Sequence, residues 1–219
     1  MKQALVIGAS GGIGSALAQE LETRGYSVTR LSRSVDGLDI TRSDSIERFI
    51  GPLEGPFDVV FVAVGTLAAG GFPEKSLAAV TPQGMQDVFA VNAVGPAMIL
   101  THVERLLPND RPSYVAVLSA RVGSIGDNKI GGWYSYRASK AALNQIVRGA
   151  AIEIGRKRKE AVVVSLHPGT VETEFTAKYP AHKKVPAKDA AVNLCDVLLG
   201  LKPTQSGEFF DYAGKSVPW

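Results

Sequence analysis

Short apolar runs alternate along the chain with longer segments of helical periodicity. Five runs with valine and other apolar residues span residues 4–7, 28–31, 59–64, 114–118 and 161–166, and all but the second, Val-Thr-Arg-Leu, are apolar at nearly every position. Consecutive apolar positions are typical of strands buried on both faces, as parallel sheets require. The segments between and after these runs predict five helices, over residues 12–24, 43–50, 82–107, 133–157 and 187–199.

This alternation indicates an α/β fold. We predict one doubly wound domain of the Rossmann type over residues 1–219, with about seven mostly parallel strands and helices on both faces of the sheet. Sheets of this kind bind ligands at the carboxyl ends of their strands, where the strand order reverses. The chemistry is therefore expected in the segments that directly follow the apolar runs.

Composition narrows the classes of function. The 219 residues include 24 Lys plus Arg and 21 Asp plus Glu, a formal charge of +3. Because this charge is small and the basic residues are scattered, no nucleic-acid partner is expected. A single cysteine, Cys195, and three dispersed histidines predict neither a disulfide framework nor a metal site. No apolar stretch of about 20 residues is present, so we expect a cytoplasmic protein without a membrane partner.

A glycine-rich loop follows the first apolar run. Glycines allow a tight turn and let backbone N–H groups approach a pyrophosphate at a helix N-terminus. The spacing is GxxxGxG, which differs from the commoner GxGxxG dinucleotide pattern. We predict a cofactor-binding loop made by Gly8, Ser10, Gly11, Gly12, Ile13 and Gly14.

The same loop also fits the G-x-S-x-G pattern of serine hydrolases, with Ser10 as the nucleophile. His167 follows a later apolar run, so the chain order of such a triad is satisfied. Against this alternative, the loop follows the first strand, and no earlier strand is available to carry an oxyanion-hole loop. A serine hydrolase is therefore kept as a remote alternative.

In dinucleotide-binding sheets, the turn after the second strand contacts the 2′ position of the cofactor's ribose. An NAD-binding protein places a carboxylate there, whereas an arginine accommodates a 2′-phosphate. This chain has Ser32 and Arg33 at that turn and no acid beside them. Since a guanidinium forms charge-assisted bonds with phosphate, we predict that Ser32 and Arg33 favour NADP(H) over NAD(H).

Two Tyr-x-x-x-Lys matches occur in the chain, Tyr136/Lys140 and Tyr179/Lys183. On a helix, this spacing puts both side chains on one face, where the ammonium favours the phenolate and lowers the tyrosine pKa. Tyr179 precedes a proline, which disfavours helical geometry. Tyr136 instead heads an alanine-rich helix, so we predict that Tyr136 and Lys140 are the functional pair.

With these motifs in order, the chain resembles the short-chain dehydrogenase/reductases over nearly its whole length, and it is most similar to the C-factor-like and sniffer-like carbonyl reductases. The closest local match covers residues 119–128 and 131–140. The resemblance implies an NADP-dependent oxidoreductase that moves a hydride between nicotinamide and a carbonyl or alcohol. It implies that Tyr136 exchanges the proton, that Lys140 binds the nicotinamide ribose, and that Asn92 supports the proton relay.

The resemblance also implies further cofactor contacts. Asp39 and Ile40 match the pair that faces the adenine. Ala63, Val64 and Gly65 stand where the family usually has Asn-Ala-Gly, without the asparagine. The loop that holds the nicotinamide carboxamide is matched by Pro168, Gly169, Val171 and Thr173.

The catalytic serine is where the chain departs from this family. The usual strand end reads Ser-Ser-x-x-Gly, and its second serine binds the substrate oxygen; alignment on Gly123 puts Ala120 at that position. Ser119 is adjacent, but neighbouring side chains of a strand face opposite ways. Ser124 lies in the loop beyond, closer to where a substrate would sit. Ser119 and Ser124 both stay open as the donor.

The partner and the substrate are less sharply predicted. Small residues along the helix of residues 133–157 and the family resemblance predict a homodimer or homotetramer that pairs through the long helices. A small carbonyl or alcohol substrate is expected to contact residues 65–80, 121–135 and 173–185. A non-catalytic NADP(H)-binding sensor or signalling protein is the second alternative. His167 is interpreted as a structural residue before a tight Pro-Gly turn.

Overall fold

One parallel sheet organises the fold. The computed structural model describes residues 2–177 and 184–219. Its strands are β1 (Gln3–Ile7), β2 (Ser27–Leu31), β3 (Val59–Val62), β4 (Ser113–Leu118), β5 (Ala161–His167) and β6 (Phe209–Asp211). Their order is β2-β1-β3-β4-β5-β6, with every neighbouring pair parallel. The chain therefore reverses its direction of winding between β1 and β3, at the position where such sheets bind ligands.

Helices cover both faces of this sheet. They are α1 (Gly12–Thr23), α2 (Arg33–Asp36), α3 (Ser43–Ile50), α4 (Pro82–Phe89), α5 (Gly95–Leu106), α6 (Tyr134–Lys157) and α7 (Ala187–Gly200). Side chains of α1 and α7 share one apolar cluster with the sheet, and side chains of α3, α5 and α6 share the other. No helix within residues 2–177 and 184–219 combines the length and apolar character needed to cross a membrane.

All strands except β2 are buried on both faces, as their apolar residues predict. β2 lies at the edge of the sheet, and Ser27 to Arg30 of this strand are exposed or half-buried. Leu5 and Ile7 of β1 point into the cluster under α3, α5 and α6, whereas Ala4 and Val6 point into the cluster under α1 and α7. Because side chains alternate along a strand, each run supplies both cores in turn. The α/β doubly wound prediction is confirmed.

Two details differ from the sequence prediction. The described residues form six strands rather than about seven, and the three-residue β6 was not predicted. The predicted helix of residues 82–107 consists of α4, a π-helical segment Ala90–Val94 and α5. Pro96 has no N–H to donate, and its ring crowds the carbonyl four residues earlier, so an unbroken α-helix is disfavoured here.

Candidate active site

A cavity of about 810 Å³ opens at the carboxyl edge of the sheet. It is lined by segments that follow β1, β2, β3, β4 and β5, together with the start of α6. The predicted site residues that line it are Ser10, Gly11, Gly12, Ile13, Gly14, Arg33, Ala63, Val64, Gly65, Ser119, Tyr136, Lys140, Pro168, Gly169, Val171 and Thr173. Gly8, Ser32, Asp39, Ile40, Asn92 and Ser124 are not among its lining residues.

The glycine loop is shaped by close backbone approaches. Gly8 has a φ of +91°, and a Cβ there would lie 2.4 Å from the carbonyl oxygen of Ala63 after β3. A Cβ on Gly14 would lie 2.1 Å from the carbonyl oxygen of Gly8. Gly11 caps α1 without a side-chain hydrogen bond, and the first residues of this helix line the cavity. The positive end of the helix dipole therefore faces the cavity. These features fit the pyrophosphate of a dinucleotide.

The serine hydrolase alternative gains no support from this loop. Ser10 is exposed in the cavity wall. Within the described ranges, its hydroxyl makes no hydrogen bond to a histidine, which a nucleophilic serine needs as its base. Ser10 therefore lies with the backbone groups suited to phosphate binding.

Tyr136 and Lys140 lie together at the buried base of the cavity. Their residues are 6% and 3% exposed. The Lys140 ammonium donates to the carbonyl oxygen of Leu118 at 2.9 Å. Burial raises the pKa of the Tyr136 phenol and lowers the pKa of Lys140 to about 7. The predicted lowering of the tyrosine pKa is thus wrong for the chain alone, because desolvation disfavours both charged forms.

Asn92 connects the cavity wall to the tyrosine helix. It lies in the π-helical segment and is fully buried. Its amide donates to the carbonyl oxygen of Thr66 at 2.8 Å and to the Ser139 hydroxyl at 3.0 Å, and its oxygen accepts from the Thr66 N–H at 2.8 Å. Both N–H donors are engaged, so the side chain holds the segment after β3 against α6.

Neither candidate serine directs a free hydroxyl into the cavity. Ser119 lines the cavity, but its hydroxyl donates to Asn144 Oδ1 at 2.6 Å, on the side facing α6. Ser124 is 1% exposed, and its hydroxyl accepts from the Asp127 N–H at 3.1 Å. Ser124 was expected near the substrate, and the structure corrects this expectation because a short 3₁₀ turn, Arg121–Gly123, directs the residue into the protein. Ala120 lines the cavity instead.

The turn after β2 separates the two residues predicted to bind a 2′-phosphate. Arg33 lines the cavity, whereas Ser32 is 4% exposed and does not. The Ser32 hydroxyl caps α2 by accepting from the Val35 N–H at 3.3 Å and donates to the Asp36 carboxylate at 3.1 Å. The Ser32 N–H donates to the same carboxylate oxygen at 2.7 Å. The expectation that no acid lies beside Ser32 is therefore wrong, because the short helix α2 returns the Asp36 carboxylate to it. The Ser32 hydroxyl is engaged within the turn, and of the two predicted residues only Arg33 lines the cavity.

The predicted adenine pair lies beside this turn. Asp39 accepts from the N–H and the hydroxyl of Thr41, at 2.9 and 2.7 Å. These bonds hold the pKa of the Asp39 carboxyl below its usual value. The carbonyl oxygen of Ile40 lies only 2.7 Å from where a Cβ of Gly95 would be. Both residues therefore shape a turn outside the main cavity rather than its wall.

The segment after β5 closes the cavity over the glycine loop. A Cβ on Gly12 would lie 2.5 Å from Cγ2 of Thr173. Gly169 has a φ of +78°, and Val171 forms a parallel bridge with Val185. Burial lowers the pKa of His167 to about 4, so this residue is neutral at pH 7. Tyr179 and Lys183 lie outside the described residues.

Two aromatic rings flank the phenol of Tyr136. The ring centroids of Trp133 and Phe175 lie 6.1 and 6.3 Å from that of Tyr136. Both residues lie in segments predicted to contact the substrate, residues 173–185 for Phe175 and residues 121–135 for Trp133, but only Phe175 lines the cavity. Sequence reasoning did not single out the ring of Trp133 beside Tyr136. Its position three residues before the tyrosine, after two glycines, was the available signal.

Comparison with known proteins defines the class. A family model described as Enoyl-(Acyl carrier protein) reductase matches residues 28–196. The chain belongs to the short-chain dehydrogenase/reductase family, as the motifs predict, and is an oxidoreductase of the kind that uses a nicotinamide cofactor.

Individual relatives agree with this assignment. C-signal of Myxococcus xanthus is 38% identical over 135 residues, which cover 62% of this chain and 78% of that protein. The 1-hydroxy-2-glutathionyl-2-methyl-3-butene dehydrogenase of Rhodococcus sp. (strain AD45) is 30% identical, and the match covers 100% of both chains. The resemblance to C-factor-like proteins is thereby confirmed.

Solved structures agree as well. A putative short-chain dehydrogenase/reductase from Burkholderia multivorans with bound NADP superposes with a TM-score of 0.84 at 28% identity, covering 100% of this chain and 99% of that one. The carbonyl reductase Sniffer of D. melanogaster superposes with a TM-score of 0.80 at 23% identity, covering 100% of both chains. At that identity, the likeness to Sniffer concerns the fold.

Proposed function

We propose that this chain is an NADP(H)-dependent carbonyl reductase of a small carbonyl or alcohol substrate. The observation that carries the proposal is the buried pair of Tyr136 and Lys140 in the same cavity as the glycine loop. A proton donor, a neighbouring lysine and a phosphate cradle are the groups that hydride transfer to a carbonyl needs from the protein.

In the proposed reaction, Tyr136 donates its phenolic proton to the carbonyl oxygen as that oxygen gains negative charge. The nicotinamide, when bound, supplies the hydride that reaches the carbonyl carbon. Lys140 lies one helical turn from Tyr136 and binds the ribose next to it. Asn92 holds the cavity wall against α6 through Thr66 and Ser139. The reverse steps oxidise an alcohol.

The cofactor is held along the carboxyl edge of the sheet. We propose that residues 8–14 bind the pyrophosphate and that Pro168, Gly169, Val171 and Thr173 contact the nicotinamide. We propose that Asp39 and Ile40 shape the adenine side, next to the wall formed by Ala63, Val64 and Gly65. The guanidinium of Arg33, exposed at the cavity, supports a preference for NADP(H) over NAD(H).

The decisive experiment is a turnover assay of NADPH oxidation over a panel of carbonyls, with dissociation constants for NADPH and NADH from fluorescence titration. We expect tighter binding of NADPH and turnover with at least one carbonyl. Arg33→Ala should weaken NADPH binding by about 1.5–3 kcal/mol, the scale of a charge-assisted bond. Arg30→Ala is the matched control, because this arginine of β2 donates to Glu22 and does not line the cavity. Equal constants for NADPH and NADH would contradict the cofactor preference.

The sensor alternative is favoured by one feature of the site. Ala120 offers no hydroxyl where the family has its second serine, and the Ser119 hydroxyl is engaged by Asn144. A missing oxyanion donor costs about 10²–10³-fold in turnover, so cofactor binding with little turnover is the second candidate. Tight NADPH binding without oxidation by any carbonyl of the panel would favour it.

We also propose that the chain assembles through its long helices. Met98 of α5 and Ile152 of α6 are 38% and 53% exposed, and both are large apolar side chains on helices that cover the same face of the sheet. Ala138, Ala141 and Ala142 leave room for close approach of a second copy. Light scattering at micromolar concentration should report a dimer or tetramer, and a monomer would contradict this proposal.

A further inference from the structure

Glu74 joins the segment after β3 to the first turn of α6, sixty-one positions later in the chain. Its carboxylate accepts from the Ser135 N–H at 3.2 Å and from the Ser135 hydroxyl. Its main-chain carbonyl oxygen accepts from the Trp133 N–H at 2.5 Å. One residue therefore makes three hydrogen bonds to the two residues that surround the start of the tyrosine helix.

The start of α6 needs such a partner. The N-terminal N–H groups of a helix have no intrahelical acceptor, and a side chain at the cap usually supplies one. Trp133 occupies the cap position and provides no side-chain hydrogen bond to the helix. A carboxylate there also interacts favourably with the helix dipole. Burial acts to raise the pKa of Glu74, but the hydrogen bonds from Ser135 and from the Glu74 backbone together leave that pKa below its usual value.

The approach to the helix is conformationally strained. Gly131, Gly132 and Trp133 have φ values of +70°, +65° and +53°. A left-handed conformation costs a bulky residue such as tryptophan about 1–3 kcal/mol, and it persists only where surrounding contacts enforce it. The hydrogen bond from the Trp133 N–H to the Glu74 carbonyl oxygen is such a contact. It holds the backbone of Trp133, whose ring stands against the Tyr136 phenol.

A second anchor lies on the other side of the tyrosine. Arg137 donates from Nε to the carbonyl oxygen of Gly132 at 3.0 Å and from Nη1 to that of Val122 at 3.3 Å. Both sequence neighbours of Tyr136 are therefore held. Ser135 is hydrogen-bonded to Glu74, and Arg137 is hydrogen-bonded to Val122 in the segment after β4. The tyrosine itself makes no bond to either anchor, so its position depends on the turn they hold.

We propose that Glu74 is a positioning residue that sets the location of the Tyr136 phenol in the cavity. This inference rests on the proposed role of Tyr136 and adds a residue that neither the motifs nor the cavity lining identifies. A displacement of about 1 Å at the reacting group costs about 10²-fold in rate. Loss of Glu74 is therefore expected to lower kcat more than it alters cofactor binding.

The test compares Glu74→Ala, Glu74→Gln and Ser135→Ala with Asp58→Asn. Asp58 is a matched control because its carboxylate also accepts two hydrogen bonds, from Gln3 and Arg111, but at the opposite edge of the sheet. For Glu74→Ala we expect kcat to fall about 30- to 100-fold, with the NADPH dissociation constant within threefold of the wild type. Glu74→Gln retains an acceptor for Ser135 and should recover kcat to within about fivefold, with Ser135→Ala intermediate.

Hydrogen–deuterium exchange provides a readout that does not need turnover. In Glu74→Ala, amides of residues 133–137 should exchange at least tenfold faster, while those of β5 stay unchanged. Asp58→Asn should lower the unfolding midpoint and leave kcat and this exchange unaltered. Unchanged exchange and unchanged kcat in Glu74→Ala would overturn the inference. If the wild type oxidises NADPH with no carbonyl, the proposed function fails, and the exchange result alone decides whether Glu74 holds this turn.

Discussion

The segment that follows β1 and the segment that follows β4, called the first and second exits, reach the same cavity by different means. The chain passes from β1 to α1 through four residues, 8–11, and from β4 to α6 through fifteen residues, 119–133. The first exit is made of backbone atoms packed against backbone, as at Gly8 against Ala63. The second depends on side chains: Ser119 turned toward Asn144, Ser124 toward Asp127, and the helix start held by Glu74.

This difference determines what each exit tolerates and what a sequence reveals about it. A backbone-made site needs glycine at fixed positions such as Gly8 and Gly14, because a Cβ there would meet a main-chain carbonyl. A site made of side chains depends on which hydroxyl points where, and one substitution redirects it. The first exit is therefore recognisable as a glycine pattern. In the second exit the sequence identifies Gly123, whose Cβ would lie 2.8 Å from the Lys140 carbonyl carbon, but it does not show where the hydroxyls point.

The largest expected effect lies at the end of the second exit. Tyr136→Phe removes the proposed proton donor and leaves the ring between Trp133 and Phe175, so the fold is preserved. We expect kcat to fall by about 10³-fold, within the range of general acid catalysis, while NADPH still binds. Tyr134→Phe is the matched control two residues earlier, and Tyr179→Phe should also retain most activity. A dead Tyr179→Phe variant would instead assign the chemistry to the other Tyr-x-x-x-Lys match.

The next effect tests the backbone exit. In Gly14→Ala the new methyl would lie 2.1 Å from the Gly8 carbonyl oxygen, so the loop must shift. We expect a loss of about 1–3 kcal/mol in unfolding free energy and NADPH affinity weakened about 100-fold. Gly149→Ala is the control, because no atom lies within 4 Å of a Cβ there. Inside α6 it should add about 0.5–1 kcal/mol, measured by denaturant unfolding. Equal effects of both changes would show that close approach does not shape the loop.

The sequence predicted the features that local chemistry encodes. The five runs became β1 to β5, and in β1, β3, β4 and β5 two-sided burial requires their consecutive apolar residues. β6 was missed because three residues, Phe209–Asp211, are too few to carry a pattern. The break between α4 and α5 follows from Pro96, a signal that was present and not used.

The site residues also divide into those that a local pattern predicts and those whose contacts form only in the folded chain. Arg33 lines the cavity as predicted, since an exposed arginine follows the strand directly. The partner of Ser32 is Asp36, whose contact arises only once the turn has formed α2. Glu74 and Ser135 are far apart in the chain, so no local pattern links them. The direction of the Ser119 hydroxyl likewise depends on Asn144, which another element supplies.

A smaller effect distinguishes the serines of the second exit. Ser119→Ala leaves Asn144 Oδ1 without its donor, so we expect about 1–3 kcal/mol less stability and kcat within threefold of the wild type. Ser124→Ala should also leave kcat nearly unchanged. Ala120→Ser adds a hydroxyl at the cavity wall and should raise kcat about tenfold, less than the 10²–10³-fold of a preorganised donor. A 100-fold loss in Ser119→Ala would restore that serine as the substrate-oxygen donor.

The smallest expected effect is a pH dependence of stability that isolates Lys140. Its pKa is about 7 in the folded chain, against an ordinary value of 10.5, so below pH 7 it is charged in both states and the burial cost is fully present. Between pH 7 and 10.5 the unfolded chain binds the additional proton, so stability rises with pH. Up to pH 9 this window is separate from His167, which titrates between about 4 and 6.5, and from Cys195, which acts above pH 9.

Lys140→Met tests this dependence with a residue of similar length and no charge. From pH 7 to 9, urea unfolding of the cofactor-free wild type should show a gain of about 1 kcal/mol per pH unit, the slope of one proton. The variant should show a flat profile over the same range. Parallel profiles would mean that Lys140 keeps its ordinary pKa in the folded chain. The ammonium would then be charged at neutral pH, and the lowering of the Tyr136 pKa expected from the sequence would be restored.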